Sequence, residues 1–154
     1  MIKILFVCHG NICRSPMAEF IMKDLVKRNG VQENFEIRSA ATSTEEIGNP
    51  VYPPAKAVLA EHGISCKGKT AIRITKDDLN YYDYIIAMDS NNLRNLSRMF
   101  GTESLKNVSL MMDYTSCPGD VEDPWYTGNF DVTYRDILDG CTGLLRKLLH
   151  KSDD

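Results

Sequence analysis

The chain has 154 residues, of which 43% are hydrophobic and 25% are charged, and its formal net charge at neutral pH is −3. This length and composition predict one globular domain over residues 1–154, large enough to bury a hydrophobic core. A negative net charge without a basic stripe argues against a nucleic-acid-binding or membrane-surface protein. No stretch approaches the roughly 20 apolar residues of a membrane span.

Cysteine usage predicts a cytoplasmic protein. The apolar segment 4–7 is too short for a signal peptide, and an odd number of cysteines is not typical of a disulfide framework. The five cysteines are Cys8, Cys13, Cys66, Cys117 and Cys141. Because no second Cys or His pair lies at metal-ligand spacing, the sequence predicts no metal site.

Alternating apolar runs and turn residues predict the order of strands and helices along the chain. Strands are predicted at residues 2–8, 35–40, 84–88 and 108–112, and helices at 16–28, 54–62, 75–78, 91–100 and 130–149. Residues 42–54 and 113–129 are predicted loops, and residues 152–154 a frayed end. Strands that alternate with helices predict a parallel sheet with helices on both faces, and ligands bind such sheets beyond the carboxyl ends of the strands.

The most informative segment is residues 2–16, whose sequence is IKILFVCHGNICRSP. Its apolar run predicts a strand that ends at Cys8, and Pro16 suits the first turn of a following helix. A cysteine is thereby brought to a helix N-terminus, where backbone N–H groups bind oxyanions and favour thiolate over thiol.

The loop between this strand and helix carries further signals of phosphate binding. Gly10 and Asn11 tolerate positive φ, which a tight loop requires. Arg14 offers a planar, permanently charged group that matches two phosphate oxygens. A buried thiol near a surface arginine is the alternative interpretation, but it accounts for none of the surrounding pattern. The segment therefore predicts phosphoryl-transfer chemistry on Cys8.

An acid for this chemistry is predicted within residues 122–126. Expulsion of an alkoxide or phenoxide from phosphorus is easier when an acid donates a proton. Asp123 is the candidate acid, since Pro124 stiffens the turn and disfavours helix at the residue before it, and Trp125 and Tyr126 are expected to line the pocket. An ordinary acidic surface turn is the alternative, and the Cys8 loop favours the acid.

These motifs together resemble those of the low-molecular-weight protein tyrosine phosphatase family. The resemblance rests on CHGNICRS at 8–15, SAAT at 39–42, IGNP at 47–50, MDSN at 88–91 and DPWY at 123–126, and it covers essentially the whole chain. It implies a flavodoxin-like α/β fold, an open sheet of four parallel strands with helices on both faces. It also implies hydrolysis of phosphotyrosine and aryl phosphates without metal or organic cofactor.

The resemblance further implies a role for each matching residue. Cys8 is the nucleophile, Arg14 binds phosphate, and Asp123 is the general acid and then the general base. Residues implied to contact substrate or phosphate are His9, Gly10, Asn11, Ile12, Cys13, Ser15, Glu45, Trp125 and Tyr126. Those implied to support the loop are Asn11, Ser15, Ser39 and Asp89, where Asp89 is alternatively only a helix cap. Cys13 either fills space or forms a reversible disulfide with the nucleophile.

Two positions depart from the family pattern. Many relatives carry an aromatic residue where this chain has Glu45, and a carboxylate there is expected to weaken stacking on the substrate ring and to repel acidic peptides. Many relatives also brace the loop with a histidine where this chain has Lys69-Thr70-Ala71-Ile72. A different loop rigidity is therefore expected.

Three other functions are compatible with the same loop. Arsenate reduction needs two further cysteines close together, whereas Cys66, Cys117 and Cys141 are far apart in sequence. Phosphoarginine hydrolysis is associated with threonine at the position of Ile12, and the third alternative is an inactive phosphate-binding module. The expected partners are a phosphotyrosine-containing protein, such as a tyrosine kinase, and phosphate or vanadate as inhibitors; no oligomeric state is predicted.

Overall fold

The computed structural model describes residues 1–152, so of the predicted frayed end only Ser152 falls within the described residues. Four strands and six α-helices are described. The strands are β1 (Ile2–Cys8), β2 (Phe35–Ala41), β3 (Tyr84–Ala87) and β4 (Val108–Leu110). The helices are α1 (Arg14–Arg28), α2 (Pro53–Glu61), α3 (Lys76–Tyr81), α4 (Ser90–Phe100), α5 (Pro124–Thr127) and α6 (Phe130–Ser152). No helix in the described part of the chain combines the length and the apolar character needed to cross a membrane.

The four strands form one parallel sheet in the order β2-β1-β3-β4. Side chains of β1 alternate between two cores, as the period of a strand requires. Ile4 and Phe6 belong to a core that includes Met17 of α1 and Leu144 of α6, whereas Leu5 belongs to a core shared with α3 and α4. The predicted open parallel sheet with helices on both faces is confirmed.

The strand order places a topological switch point at β1 and β3. The chain continues from β1 to β2 on one side, and β3 pairs with the opposite edge of β1. A crevice opens beyond the carboxyl ends of two such strands, and ligands bind there in sheets of this kind. Cys8 ends β1 at this edge, and Asp89 follows β3.

The starts of α2, α3 and α4 lie within one residue of the prediction, whereas α1 and α5 depart from it further, for reasons of backbone hydrogen bonding. α1 begins at Arg14 rather than Pro16, because the first N–H groups of a helix have no partner within it and proline is tolerated there. α5 lies inside the predicted loop 113–129. Asp123 caps α5 by accepting a hydrogen bond from the Trp125 N–H at 3.0 Å. Pro124 disfavours helical backbone only at the residue before it, so the helix can begin directly after Asp123.

The segment after β4 packs closely on two glycines of α6. A Cβ atom at Gly140 would lie 2.7 Å from the Met111 side chain, and one at Gly143 would overlap the carbonyl oxygen of Tyr114. This contact fixes residues 111–114, a tight helical turn at the start of the connection that leads to Asp123. The two glycines are therefore required by close approach of two backbones.

Gly143→Ala is expected to lower the free energy of unfolding by about 2 kcal/mol, because the added methyl group collides with backbone that cannot rotate away. Chemical denaturation of the variant measures this loss. Asp139→Ala, an exposed change on the same helix, is the matched control and should stay within about 0.5 kcal/mol of wild type. A Gly143→Ala protein as stable as that control would contradict the packing described.

Candidate active site

The loop from Cys8 to Arg14 joins β1 to α1 and wraps around the Cys8 sulfur. Cys8 is almost fully buried, with 3% of its surface exposed. Its Sγ lies 3.0 Å from Oγ of Ser15 and accepts a hydrogen bond from the Ser15 N–H at 3.4 Å. Ser15 is in the first turn of α1, whose N–H groups and dipole favour negative charge. The Cys8 sulfur therefore lies among polar hydrogen-bonding groups at the N-terminus of α1.

Asn11 holds the loop in an otherwise unfavourable conformation. Its φ of 59° lies in the left-handed region, which non-glycine residues seldom adopt. Its amide nitrogen donates to Oγ of Ser15 at 2.7 Å and to Oγ of Ser39 at 3.0 Å. Its carbonyl oxygen accepts from the Ile72 N–H at 3.2 Å. Asn11 thus connects the loop to β2 and to the segment after Lys69.

A buried carboxylate extends this network beneath the loop. Ser39 donates through Oγ to Glu19 at 2.6 Å, and Lys23 contacts the other Glu19 oxygen at 2.6 Å. Glu19 is only 2% exposed, so its charge needs these partners. Glu19 was not among the residues that the sequence predicted for the site. The available signal was a glutamate on the face of α1 that carries apolar side chains.

Lys69 contributes the cation on the far side of the same network. Its Nζ donates to the backbone carbonyl of Ser39 at 2.9 Å and lies 3.5 Å from Glu19. Burial lowers the pKa of Lys69, and the neighbouring Glu19 carboxylate opposes that shift. Lys69 therefore supports the loop in place of the histidine that the family pattern has in this region.

Arg14 is buried, with 2% of its surface exposed, and is held from two sides. Nη1 donates to Oδ2 of Asp89 at 2.7 Å and to the carbonyl of Val121 at 2.8 Å. Nη2 lies 3.5 Å from Oδ2 of Asp123. Burial by itself lowers the pKa of Arg14, but negative charge on Cys8 and on the two aspartates raises it above its ordinary value. Arg14 is therefore a fixed, permanent cation.

Asp89 combines the two roles considered for it. Besides accepting from Arg14, it caps α4 by accepting from the Asn92 N–H at 2.8 Å. Asn92 in turn accepts from the Asp89 N–H at 3.2 Å, which completes a reciprocal capping box. The cap on α4 therefore fixes the Asp89 carboxylate, and the fixed carboxylate in turn orients Arg14.

The thiol, the guanidinium and the Asp123 carboxylate face one cavity of about 220 Å³. Its lining residues are Cys8, His9, Gly10, Ile12, Cys13, Arg14, Glu45, Glu46, Asp123, Trp125 and Tyr126. Asn11, Ser15, Ser39 and Asp89 do not line it; their side chains instead make the hydrogen bonds that support the loop and Arg14. Glu46, whose side chain approaches Gly10, lines the cavity although the sequence did not predict it as a site residue.

The mouth of the cavity has an aromatic side and an acidic side. Trp125 is 52% exposed and Tyr126 is 85% exposed, and the Trp125 ring packs 4.8 Å from the ring of Tyr52. On the acidic side, Oε2 of Glu45 lies 3.0 Å from Nε2 of His9, and both groups are exposed. Tyr52, which was not among the predicted site residues, packs against the tryptophan ring.

Cys13 differs from Cys8 in its electrostatic environment. Burial raises the pKa of the Cys13 thiol to about 12, and the negative charges of Cys8 and Asp123 add to this shift. Cys13 is therefore a neutral thiol near neutral pH and does not compete as a nucleophile. All five cysteines of the chain are free thiols.

This arrangement combines a hydrogen-bonded thiol, a fixed cation of the kind that binds phosphate oxygens and a carboxyl group, all lining one cavity. Those are the groups that phosphoryl transfer through a covalent enzyme intermediate requires. Within residues 1–152, no group of three His, Cys, Asp or Glu side chains is placed to hold a metal ion.

Comparison with known proteins agrees with this chemistry. The family model described as low molecular weight phosphotyrosine protein phosphatase matches residues 3–153. The chain is 41% identical over 150 residues to the low molecular weight protein-tyrosine-phosphatase YfkJ of Bacillus subtilis, with 96% of each protein covered. It is 39% identical over 151 residues to the low molecular weight phosphotyrosine protein phosphatase of Mus musculus, with 94% of each covered.

Solved structures give the same result. The crystal structure of YfkJ from Bacillus subtilis superposes with a TM-score of 0.94 at 40% identity, over 98% of this chain and 96% of that one. The structure of DARP, a drosophila arginine phosphatase, superposes with a TM-score of 0.88 at 32% identity, over 99% and 100%. The resemblance found in the sequence is confirmed: the chain belongs to the low molecular weight phosphotyrosine protein phosphatase family and is an enzyme that hydrolyses phosphoric monoesters.

Proposed function

We propose that Cys8 carries out this hydrolysis on phosphotyrosine and aryl phosphates through a phosphocysteine intermediate. In the first step Sγ of Cys8 attacks phosphorus, a sulfur–phosphorus bond forms, and the bond from phosphorus to the phenolic oxygen breaks. Asp123 gives its proton to that departing oxygen. The observation that carries the proposal is one cavity lined by the Cys8 thiol, Arg14 and the Asp123 carboxyl group.

The second step returns the enzyme to its starting state. Asp123, now ionised, takes a proton from a water molecule whose oxygen bonds to phosphorus. The sulfur–phosphorus bond breaks, and Cys8 leaves as a thiolate that the hydroxyl and N–H of Ser15 stabilise. Phosphate is released, and the proton on Asp123 is available for the next substrate.

Arg14 and the loop amides stabilise the negative charge on phosphorus throughout both steps. The hydrogen bonds from Arg14 to Asp89 and Val121 set the guanidinium plane before substrate arrives. Groups fixed in advance lower the barrier because they need no reorganisation during the reaction. The proposed role of Asn11, Ser39 and Asp89 is to maintain this arrangement.

The walls of the cavity favour an aromatic leaving group. Trp125 and Tyr126 provide ring surfaces, and the apolar Ile12 offers no hydroxyl to a polar leaving group such as a guanidine. Glu45, paired with His9 at the mouth, is proposed to disfavour acidic peptides. Phosphoarginine remains the second candidate because the drosophila arginine phosphatase shares the fold closely.

A single assay panel separates these substrates. Phosphotyrosine, phosphoarginine and arsenate are offered to the purified protein at equal concentration, with and without vanadate. We expect vanadate-sensitive release of phosphate from phosphotyrosine at the highest kcat/KM. Preference for phosphoarginine, or thiol-dependent reduction of arsenate, would overturn the tyrosine assignment.

The cysteines do not favour the arsenate reaction. A relay through disulfides needs two mobile cysteines close together, whereas Cys66 and Cys141 are buried in the core and Cys117 is exposed. The free thiols also support a cytoplasmic location, where cysteines stay reduced. A phosphotyrosine-containing protein, such as a tyrosine kinase, is the proposed partner, and phosphate and vanadate are the proposed inhibitors.

Asp123→Ala is expected to lower kcat/KM far more for substrates with poor leaving groups than for substrates with good ones. Only a poor leaving group depends on a donated proton. For phosphotyrosine we expect kcat/KM to fall by about 100-fold or more, and for p-nitrophenyl phosphate by less than about tenfold. Glu122→Ala, the exposed neighbour, is the matched control and should leave the ratio of the two substrates unchanged. Equal slowing of both substrates by Asp123→Ala would argue against the acid role.

A further inference from the structure

Asp120 holds the start of α4 through two hydrogen bonds that the proposed mechanism does not use. Its Oδ1 accepts from the Ser90 N–H at 3.0 Å, and its Oδ2 accepts from Oγ of Ser90 at 3.2 Å. Ser90 is the first residue of α4, where an unpaired N–H group and the helix dipole both favour a carboxylate. We call this pair of hydrogen bonds between Asp120 and Ser90 the clasp.

The residue after Asp120 is tied to the catalytic loop. The Val121 N–H donates to the carbonyl of Met88 at 2.8 Å, and the Val121 carbonyl accepts from Nη1 of Arg14 at 2.8 Å. Met88 lies between β3 and Asp89, which itself holds Arg14. The clasp and Val121 therefore join one short segment to the same junction that orients Arg14.

The segment has few other points of attachment. Between Tyr114 and Asp123, Val121 is the only buried residue, and residues 116–120 are all exposed. Asp123 follows Val121 by two positions, and its Oδ2 lies 3.5 Å from Nη2 of Arg14. The placement of the Asp123 carboxyl group thus depends on how firmly residues 120 and 121 are held.

We propose that Asp120 and Ser90 are positioning residues for the general acid. The clasp fixes the backbone that enters α5, so that Asp123 presents its proton to the leaving oxygen while Arg14 binds the phosphate. This inference rests on the proposed function of Asp123. Accurate placement of a reacting group contributes strongly to rate, and small displacements are costly.

The test compares Asp120→Ala and Asp120→Asn in the full chain, using kcat/KM for phosphotyrosine and for p-nitrophenyl phosphate. Asp120→Ala is expected to lower kcat/KM by about five- to tenfold for phosphotyrosine and by less than about twofold for the nitrophenyl substrate. Asp120→Asn keeps an oxygen that can accept from Ser90 and should recover part of the loss. Ser90→Ala should produce a smaller effect of the same kind, because the Ser90 N–H remains.

Asp113→Asn is the matched control. Asp113 is also exposed and also caps a turn in the connection from β4 to α5, by accepting from the Leu110 N–H at 2.9 Å. It has no hydrogen bond to α4 among those described, so its replacement should leave the ratio between the two substrates unchanged. A melting temperature for each variant verifies that it is folded at the assay temperature.

A double mutant decides whether Asp120 acts through Asp123. In an Asp123→Ala background, Asp120→Ala should have no further effect on phosphotyrosine, since the group that it positions is gone. If Asp120→Ala lowered kcat/KM equally for both substrates, the proposed positioning role of the clasp would be wrong. It would also be wrong if Asp120→Ala caused its full loss of kcat/KM again in the double mutant. If Asp123→Ala itself shows no dependence on the leaving group, the proposed function fails instead, so the two failures are distinguishable.

Discussion

Replacement of Cys8 by serine should abolish turnover while leaving phosphate binding nearly intact. A serine hydroxyl in this position stays protonated near neutral pH and is a far weaker nucleophile than a thiolate. We expect kcat for phosphotyrosine to fall by at least about 10,000-fold. The loop amides and Arg14 are unchanged, so the Kd for inorganic phosphate should stay within a few-fold of wild type.

Steady-state assays and calorimetric titration with phosphate measure the two halves of this prediction. Cys117→Ser is the matched control, because Cys117 is an exposed free thiol outside the cavity, and it should retain full activity. A Cys8→Ser protein with more than about 1% of wild-type turnover would exclude a phosphocysteine intermediate. Loss of phosphate binding together with turnover would mean that the sulfur organises the loop as well as reacting.

Arg14→Lys should be the second most damaging substitution, although it conserves the charge. Lysine presents a point charge rather than a planar pair of donors, and it cannot contact Asp89, Val121 and a phosphate oxygen together. We expect kcat/KM to fall by about 1,000-fold, the scale on which arginine stabilises phosphoryl-transfer transition states. Affinity for vanadate should fall with it.

Inhibition by vanadate, kcat/KM and thermal melting together test this expectation. Arg28→Lys, at the opposite end of α1 and exposed, is the control and should behave as wild type. The Arg14→Lys protein should remain folded, since the lysine cation still faces the carboxylates of Asp89 and Asp123. Activity within about tenfold of wild type would show that positive charge alone suffices and that the fork geometry of Arg14 is dispensable.

The local pattern of the chain predicted much of the fold because each signal had a local cause. A strand that ends at Cys8, a proline in the first helical turn and an aspartate that caps α4 all act within a few residues. Short-range effects also explain the errors at boundaries. The sequence did not predict α5, because the bias of Pro124 applies to the residue before it and leaves the following turn free.

The supporting polar network was the part that sequence reasoning could not assemble. In the sequence alone, Glu19 is an ordinary glutamate of a helix. Lys69 indicates only that the histidine of the family pattern is absent. Only the packing of α1 against β2 and the segment near residue 69 places their charges together beneath Ser39. Such groups are separated by 20 to 50 positions, and no local pattern encodes that proximity.

By itself, then, the sequence predicted the class of reaction and the order of the strands and helices along the chain. The proposed nucleophile, the proposed phosphate-binding arginine and the proposed acid were all recognisable as residue types in a specific local setting. Tertiary structure decided how these groups are held. Asp89 and Val121 accept hydrogen bonds that set the plane of Arg14. Asn11 and Glu19 support the loop, and Tyr52 packs against Trp125. The reason is physical, because reactivity resides in single side chains and their neighbours along the chain, whereas orientation arises from contacts that exist only after the sheet and helices have packed.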